Sequence, residues 1–135
     1  MPRPVTALIV DDEPNVLVYL RALLKQLDVE TVWDAADGAA ALEQVTAHKP
    51  DVVLLDMNLP QVSGLQLLAK FKADHPKLPV IVVSVVSTMK TVSQACELGA
   101  DAYVLKHLPK AQVFQMLSNA FDKIAECSGG GTAED

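Results

Sequence analysis

Asp11, Asp12, Asp56, Ser84 and Lys106 are spread over most of the chain, yet each stands at the C-terminal end of a short apolar run that reads as a β-strand. In an open α/β sheet those strand ends lie along one edge, where ligand crevices form. Three carboxylates, a hydroxyl and an ammonium would converge there. That set suits a divalent cation held beside a transferable phosphoryl group.

Asp56 is the candidate nucleophile, because a carboxylate can attack phosphorus and carry the phosphoryl group as a mixed anhydride. It is a weak nucleophile until its repulsion with the incoming phosphate is relieved. Mg²⁺ bridging the acids and a phosphoryl oxygen would relieve it and would offset the mutual repulsion of the carboxylates. Asp12 is the candidate direct ligand, Asp11 a partner acting through a metal-bound water, and Asn58 a donor through its backbone carbonyl. Lys106 can pair first with Asp56 and then with a phosphoryl oxygen, and Ser84 can donate to another oxygen.

Taken singly, these residues have blander readings. Asp12 could serve only as N-cap of the helix that Pro14 opens. Ser84 could be a strand-end or capping hydroxyl, and Lys106 a solvated strand-end lysine. Their common register at one sheet edge is what favours a joint site. Asp34, Asp37 and Asp74 fall outside that register and read as surface or turn acids. His48, His75 and His107 read as exposed loop residues, too far apart in the pattern for zinc.

The elements that must position the set follow from the apolar patterning. Continuous β-branched runs at Val5–Val10, 51–56 and Val80–Val83 read as strands covered on both faces. Further strands are expected at Glu30–Ala35 and Ala102–Leu105. Between them, apolar residues at helical spacing predict helices from Pro14, over Gly38 to about Thr46, from Leu65 to before Pro76 after a Pro60–Gly64 turn, around Val92–Leu98 with Gly99 just past its end, and from about Pro109 to Ala125. The repeated βα order calls for right-handed crossovers and a parallel sheet with helices on both faces.

The 135 residues suffice for one domain with a real core. Half are apolar but only 4% aromatic, so aliphatic side chains must do most of the packing. A net charge of −6 with 11 basic residues argues against this domain gripping a polyanion. No run approaches the roughly 20 apolar residues that span a bilayer, and Met1-Pro2-Arg3-Pro4 leads straight into the first strand without a secretory leader. Cys96 and Cys127 form neither a zinc spacing nor a disulfide framework, and Cys96 reads as a small buried helix residue. A reducing, cytoplasmic location fits. Residues 1–127 are expected to form the domain, and 128–135, with consecutive glycines, a flexible tail or the beginning of a linker.

With Val-Asp-Asp at Asp11–Asp12, Leu-Leu-Asp-Met-Asn-Leu-Pro around Asp56, Ser84, Gly-Ala-Asp-Ala-Tyr ending at Tyr103, and Lys106, the sequence resembles the receiver domain of two-component response regulators from about Val5 to Ile124. The resemblance implies a doubly wound, flavodoxin-like fold with strand order 2-1-3-4-5 and five flanking helices. It implies phospho-acceptance by Asp56 with Mg²⁺, from a sensor histidine kinase or histidine phosphotransfer protein. Ser84 would follow the phosphoryl group and Tyr103 would change rotamer, remodelling the surface of the fourth helix, fifth strand and fifth helix for an output domain, a downstream protein or a second copy. Self-phosphorylation and slow acyl-phosphate hydrolysis are implied in a domain that chiefly signals. Direct nucleic-acid or membrane binding is not.

Two departures from the family pattern stand out. His107 follows Lys106 where proline with a cis bond is usual, and cis before a non-proline residue costs about 2.5–4 kcal/mol. Either a trans bond with an altered loop or a strained cis bond is therefore expected. Val85 follows Ser84 where a smaller residue is common, and it could narrow access to the phosphoryl group. The alternative function is a protein-interaction module on the same fold that works without phosphate. A small phosphatase or flavodoxin-like enzyme lacks support: there is neither a general-acid aspartate two residues past Asp56 nor an aromatic flavin platform.

Overall fold

The computed structural model describes residues 4–59, 62–85 and 88–133, with side chains through Ala125. Pro60 and Gln61 of the expected turn, the first three residues, the last two and the Cys127 side chain lie outside what is described. The elements alternate throughout: β1 (Thr6–Val10), α1 (Pro14–Gln26), β2 (Thr31–Ala35), α2 (Gly38–His48), β3 (Val52–Leu55), α3 (Gly64–Asp74), β4 (Val80–Ser84), α4 (Met89–Glu97), β5 (Ala102–Leu105) and α5 (Lys110–Ala133). The strands pair in parallel in the order β2-β1-β3-β4-β5.

Strand alternation divides the core into two layers. Ala7, Ile9, Val52, Leu54, Ile81, Val83 and Val104 face α1 and α5, packing with Leu20, Leu23, Leu24, Leu117 and Phe121. Leu8, Val10, Val53, Leu55, Val80 and Val82 face the other way, against Ala41, Val45, Leu67, Leu68, Phe71 and Ala95. Because β1, β3 and β4 are buried on both faces, their sequences are continuously apolar instead of alternating. Each fully buried Leu, Ile or Phe contributes about 1.5–3 kcal/mol, so the sheet interior anchors the strands firmly.

Local chemistry sets the helix starts. Asp37 caps α2 by accepting from Ala40 N at 2.8 Å, and Ser63 and Gln66 form a capping box on α3. Thr88 caps α4. Gly99, at φ 102°, ends that helix in a conformation that side-chain-bearing residues rarely adopt.

Several expectations need correction. The α1 N-cap is Glu13, not Asp12. Helix α2 continues to His48, whose ring stacks on Trp33 with centroids 4.4 Å apart, so His48 is helical and not a loop residue. His75 is the half-buried C-cap of α3. Asp34, by contrast, is the surface acid expected, lying exposed within β2 and paired with Arg21. Cys96 is exposed, because Ala95 takes the position facing the sheet. Helix α5 runs to Ala133, past the expected end at Ala125. No proline interrupts that stretch, although Gly129–Gly131 each disfavour helix by about 1 kcal/mol relative to alanine.

Candidate functional site

The sheet register brings distant acids side by side. Val10 of β1 is level with Ala35 of β2 and Leu55 of β3, so Asp11 and Asp56 are the first residues beyond neighbouring strands. Asp11 N donates to the Ala35 carbonyl at 3.1 Å and Asp56 N to the Val10 carbonyl at 3.0 Å, which extends the ladder to the site itself. Both acids are buried, at 1% and 3% exposure, whereas Asp12 is exposed. Asp11, Asp12 and Asp56 each offer a carboxylate oxygen within 4.8 Å of the others.

Lys106 enters from the far side of β4. Its backbone N–H donates to the Ser84 carbonyl at 3.0 Å, which fixes the root of the side chain at the end of β5. Its Nζ donates to Asp11 Oδ2 at 3.1 Å and lies 3.4 Å from Asp56 Oδ2 and 3.7 Å from Glu13 Oε1. Asp11 Oδ1 accepts from Glu13 N at 2.9 Å, and Asp56 Oδ1 from Asn58 N at 3.3 Å. Each buried carboxylate thus has partners on both oxygens.

These contacts do not fully compensate burial. Desolvation pushes the Asp56 carboxyl above the usual carboxylate range; the Lys106 charge lowers it, the Asp11 charge raises it, and hydrogen bonds from Asn58 and Lys106 lower it. Lys106 is raised despite its burial, because the Asp11 hydrogen bond and the charges of Asp56 and Asp11 outweigh desolvation. Ser84 is fully buried and hydrogen-bonded to the Tyr103 phenol. That phenol is raised chiefly by burial, lowered by the Ser84 bond and raised by the Asp56 charge.

Of the residues singled out in the sequence, Asp11 and Asp56 therefore meet at Lys106, Asp12 stands beside the two acids with an oxygen within 4.8 Å of theirs, and Ser84 and Tyr103 form a second pair. Asn58 touches the group through its N–H to Asp56, and its side chain is exposed. No cis peptide occurs among the described residues, so Lys106–His107 is trans, and the loop closes with a long 3.5 Å contact from Leu108 N to the Leu105 carbonyl.

Two contributors escaped the sequence reading. Glu13 reaches Lys106, but an acid at a helix start gives no sign of which way it turns. Gly64 is the other. Its N–H donates to the Met57 carbonyl at 2.8 Å, and a Cβ there would sit 2.4 Å from Met57 Cα and 2.6 Å from the Asp56 carbonyl oxygen. The start of α3 is pressed against the segment that carries Asp56, and only glycine permits that approach.

The doubly wound parallel sheet thus carries three acids and a lysine together at the C-terminal edge of its strands. The match to the response regulator receiver domain family covers residues 7–118, and the chain belongs to that family. It is 36% identical over 104 residues to the probable transcriptional regulatory protein TcrX of Mycobacterium tuberculosis, covering 77% of this chain and 44% of that one. The chain therefore spans less than half of that relative's length. Among solved structures, it resembles a CheY-like receiver domain protein from Methanospirillum hungatei, with a TM-score of 0.79 and 25% identity over 90% of this chain and 96% of the other. It also resembles a chain in the CheX-CheY-BeF3-Mg²⁺ complex from Borrelia burgdorferi, with a TM-score of 0.81 and 26% identity over 88% and 90%. No helix among the described residues is long and apolar enough to cross a membrane.

Proposed function

We propose that the chain is a phospho-accepting switch in which Asp56 receives a phosphoryl group from a histidine kinase or histidine phosphotransfer protein. The change is read on the surface of α4, β5 and α5 by an output domain or partner. The observation that carries this reading is the placement of Asp56, a buried carboxylate 3.4 Å from a buried ammonium and within 4.8 Å of two further acids.

The donor set fits Mg²⁺. Hard, closely spaced carboxylate oxygens are its usual protein ligands, and three of them lie within 4.8 Å of one another here. Asp12 would hold the ion directly, Asp11 through water, and Asp56 and the Asn58 carbonyl would complete the set. When bound, Mg²⁺ supplies charge neutralisation on the carboxylates and on the phosphoryl oxygens.

The chain's own residues supply the rest. An Asp56 carboxylate oxygen attacks phosphorus, the bond from phosphorus to the donor nitrogen breaks, and the electron pair leaves with the donor imidazole, which retains or takes up a proton. Lys106 transfers its hydrogen bonding to a phosphoryl oxygen. Ser84 donates its hydroxyl hydrogen to another, and Tyr103, already bonded to Ser84, registers that change on β5. The switch is a population shift, because phosphate must contact the active arrangement better than the inactive one.

Backbone NMR during titration with beryllofluoride and Mg²⁺ tests the proposal. Shifts at Ser84, Tyr103 and Lys106 that vanish in D56N are expected. Partner binding indifferent to D56N and to Mg²⁺ would instead favour an interaction module that works without phosphate.

A further inference from the structure

The acidic edge has a member that helix capping does not account for. Glu13 is the N-cap of α1, a position where glutamate is not favoured, and its side chain makes no capping hydrogen bond. Instead Oε1 lies 3.7 Å from Lys106 Nζ, with the Glu13 side chain 63% exposed and that of Lys106 only 9% exposed.

Lys106 thus has three carboxylate neighbours at graded distances: Asp11 at 3.1 Å, Asp56 at 3.4 Å and Glu13 at 3.7 Å. The first two belong to the trio whose oxygens converge on a cation position, and Glu13 does not. A divalent cation at the trio would draw on the charge of Asp11 and Asp56 and repel the ammonium. Glu13 is the remaining acid within reach of Lys106 among the described residues.

We propose that Glu13 is a positioning residue for Lys106, holding the ammonium at the rim when a cation is bound and competing there with the phosphoryl oxygens on Asp56. This rests on the phospho-acceptor reading of Asp56. Glu13 consequently acts in two opposed ways. Its charge favours the cation, and its contact with Lys106 disfavours the phosphoryl-loaded state.

The test uses E13Q and E13D with Mg²⁺ alone, and then with beryllofluoride at saturating Mg²⁺ as the stand-in for a phosphoryl group on Asp56. Because the Glu13 side chain caps nothing, both variants should fold. For a partly exposed pair the effects are about 2- to 5-fold. E13Q should bind Mg²⁺ more weakly and beryllofluoride more tightly. E13D restores the charge without the reach, so it should recover Mg²⁺ affinity while keeping the tighter beryllofluoride binding. The Lys106 Nζ resonance should move on Mg²⁺ addition in the wild type and respond differently in both variants. A merely structural role would shift both affinities in the same direction. Wild type that takes up beryllofluoride with equal or greater affinity than E13Q would overturn the role of Glu13 alone, and wild type that takes up none would overturn the phospho-acceptor reading beneath it.

Discussion

Lys106 Nζ donates to Asp11 Oδ2 at 3.1 Å while standing 3.4 Å from Asp56 Oδ2, so that one ammonium is shared between two buried carboxylates. The shared charge leaves Asp56 undercompensated. Its carboxyl is raised, first by burial and also by the Asp11 charge.

That imbalance predicts a stability effect with a defined pH window. A carboxyl whose folded pKa is raised binds its proton more tightly in the folded state, so its contribution is fully present below the unfolded value and is lost as pH rises through the folded one. Lys106 stays charged throughout that window, its own pKa being raised from 10.5. D56N removes the titrating group while Lys106 keeps Asp11. Denaturant unfolding should show D56N more stable than wild type at pH 7, with the difference shrinking as pH falls toward the unfolded carboxyl value near pH 4. Mg²⁺ should narrow the gap by stabilising the wild type. A D56N variant less stable at pH 7 would contradict this account of the site.

Gly64 makes a second prediction. A methyl at this position would meet backbone at Met57 Cα and the Asp56 carbonyl oxygen, 2.4 and 2.6 Å away, and neither can swing aside. G64A should cost about 2–4 kcal/mol, as overpacking against backbone does, and should weaken Mg²⁺ binding by displacing the Asp56 segment. Thermal unfolding and Mg²⁺ titration of the same sample check both parts. Unchanged stability would show that α3 can move off the loop freely.

Val85 follows Ser84 and is about half exposed, at 49%. The sequence pattern expects this side chain to narrow access to the phosphoryl group, and its exposure means that trimming it leaves the buried core intact. V85A should exchange phosphoryl groups with small donors, and hydrolyse the product, several-fold faster than wild type. Equal rates in the two proteins, followed by intact mass over time, would remove any gating role for this side chain.

The strand ends were legible because acids and a lysine interrupt apolar runs that only a doubly covered sheet explains, and parallel order alone then gathers Asp11, Asp56 and Lys106. What escaped depended on rotation or approach instead of pattern. Cys96 and Ala95 are adjacent small residues, and only the roll of α4 decides that Ala95 faces the sheet. The turn of the Glu13 side chain toward Lys106, and the closeness of Gly64 to Met57, are set by tertiary contacts that leave no periodic trace. The glycines after Cys127 promised an early helix end, yet helix hydrogen bonding continues to Ala133, because glycine weakens a helix without removing its donors.

Phospho-acceptance by Asp56 is read out by intact mass spectrometry of the protein after incubation with Mg²⁺ and a small phosphodonor such as acetyl phosphate. Uptake of a single phosphoryl group is expected, released by hydroxylamine as an acyl phosphate is and absent from D56N and from samples treated with chelator. A folded wild-type protein that gains no such group, or that gains it equally in D56N, would contradict it.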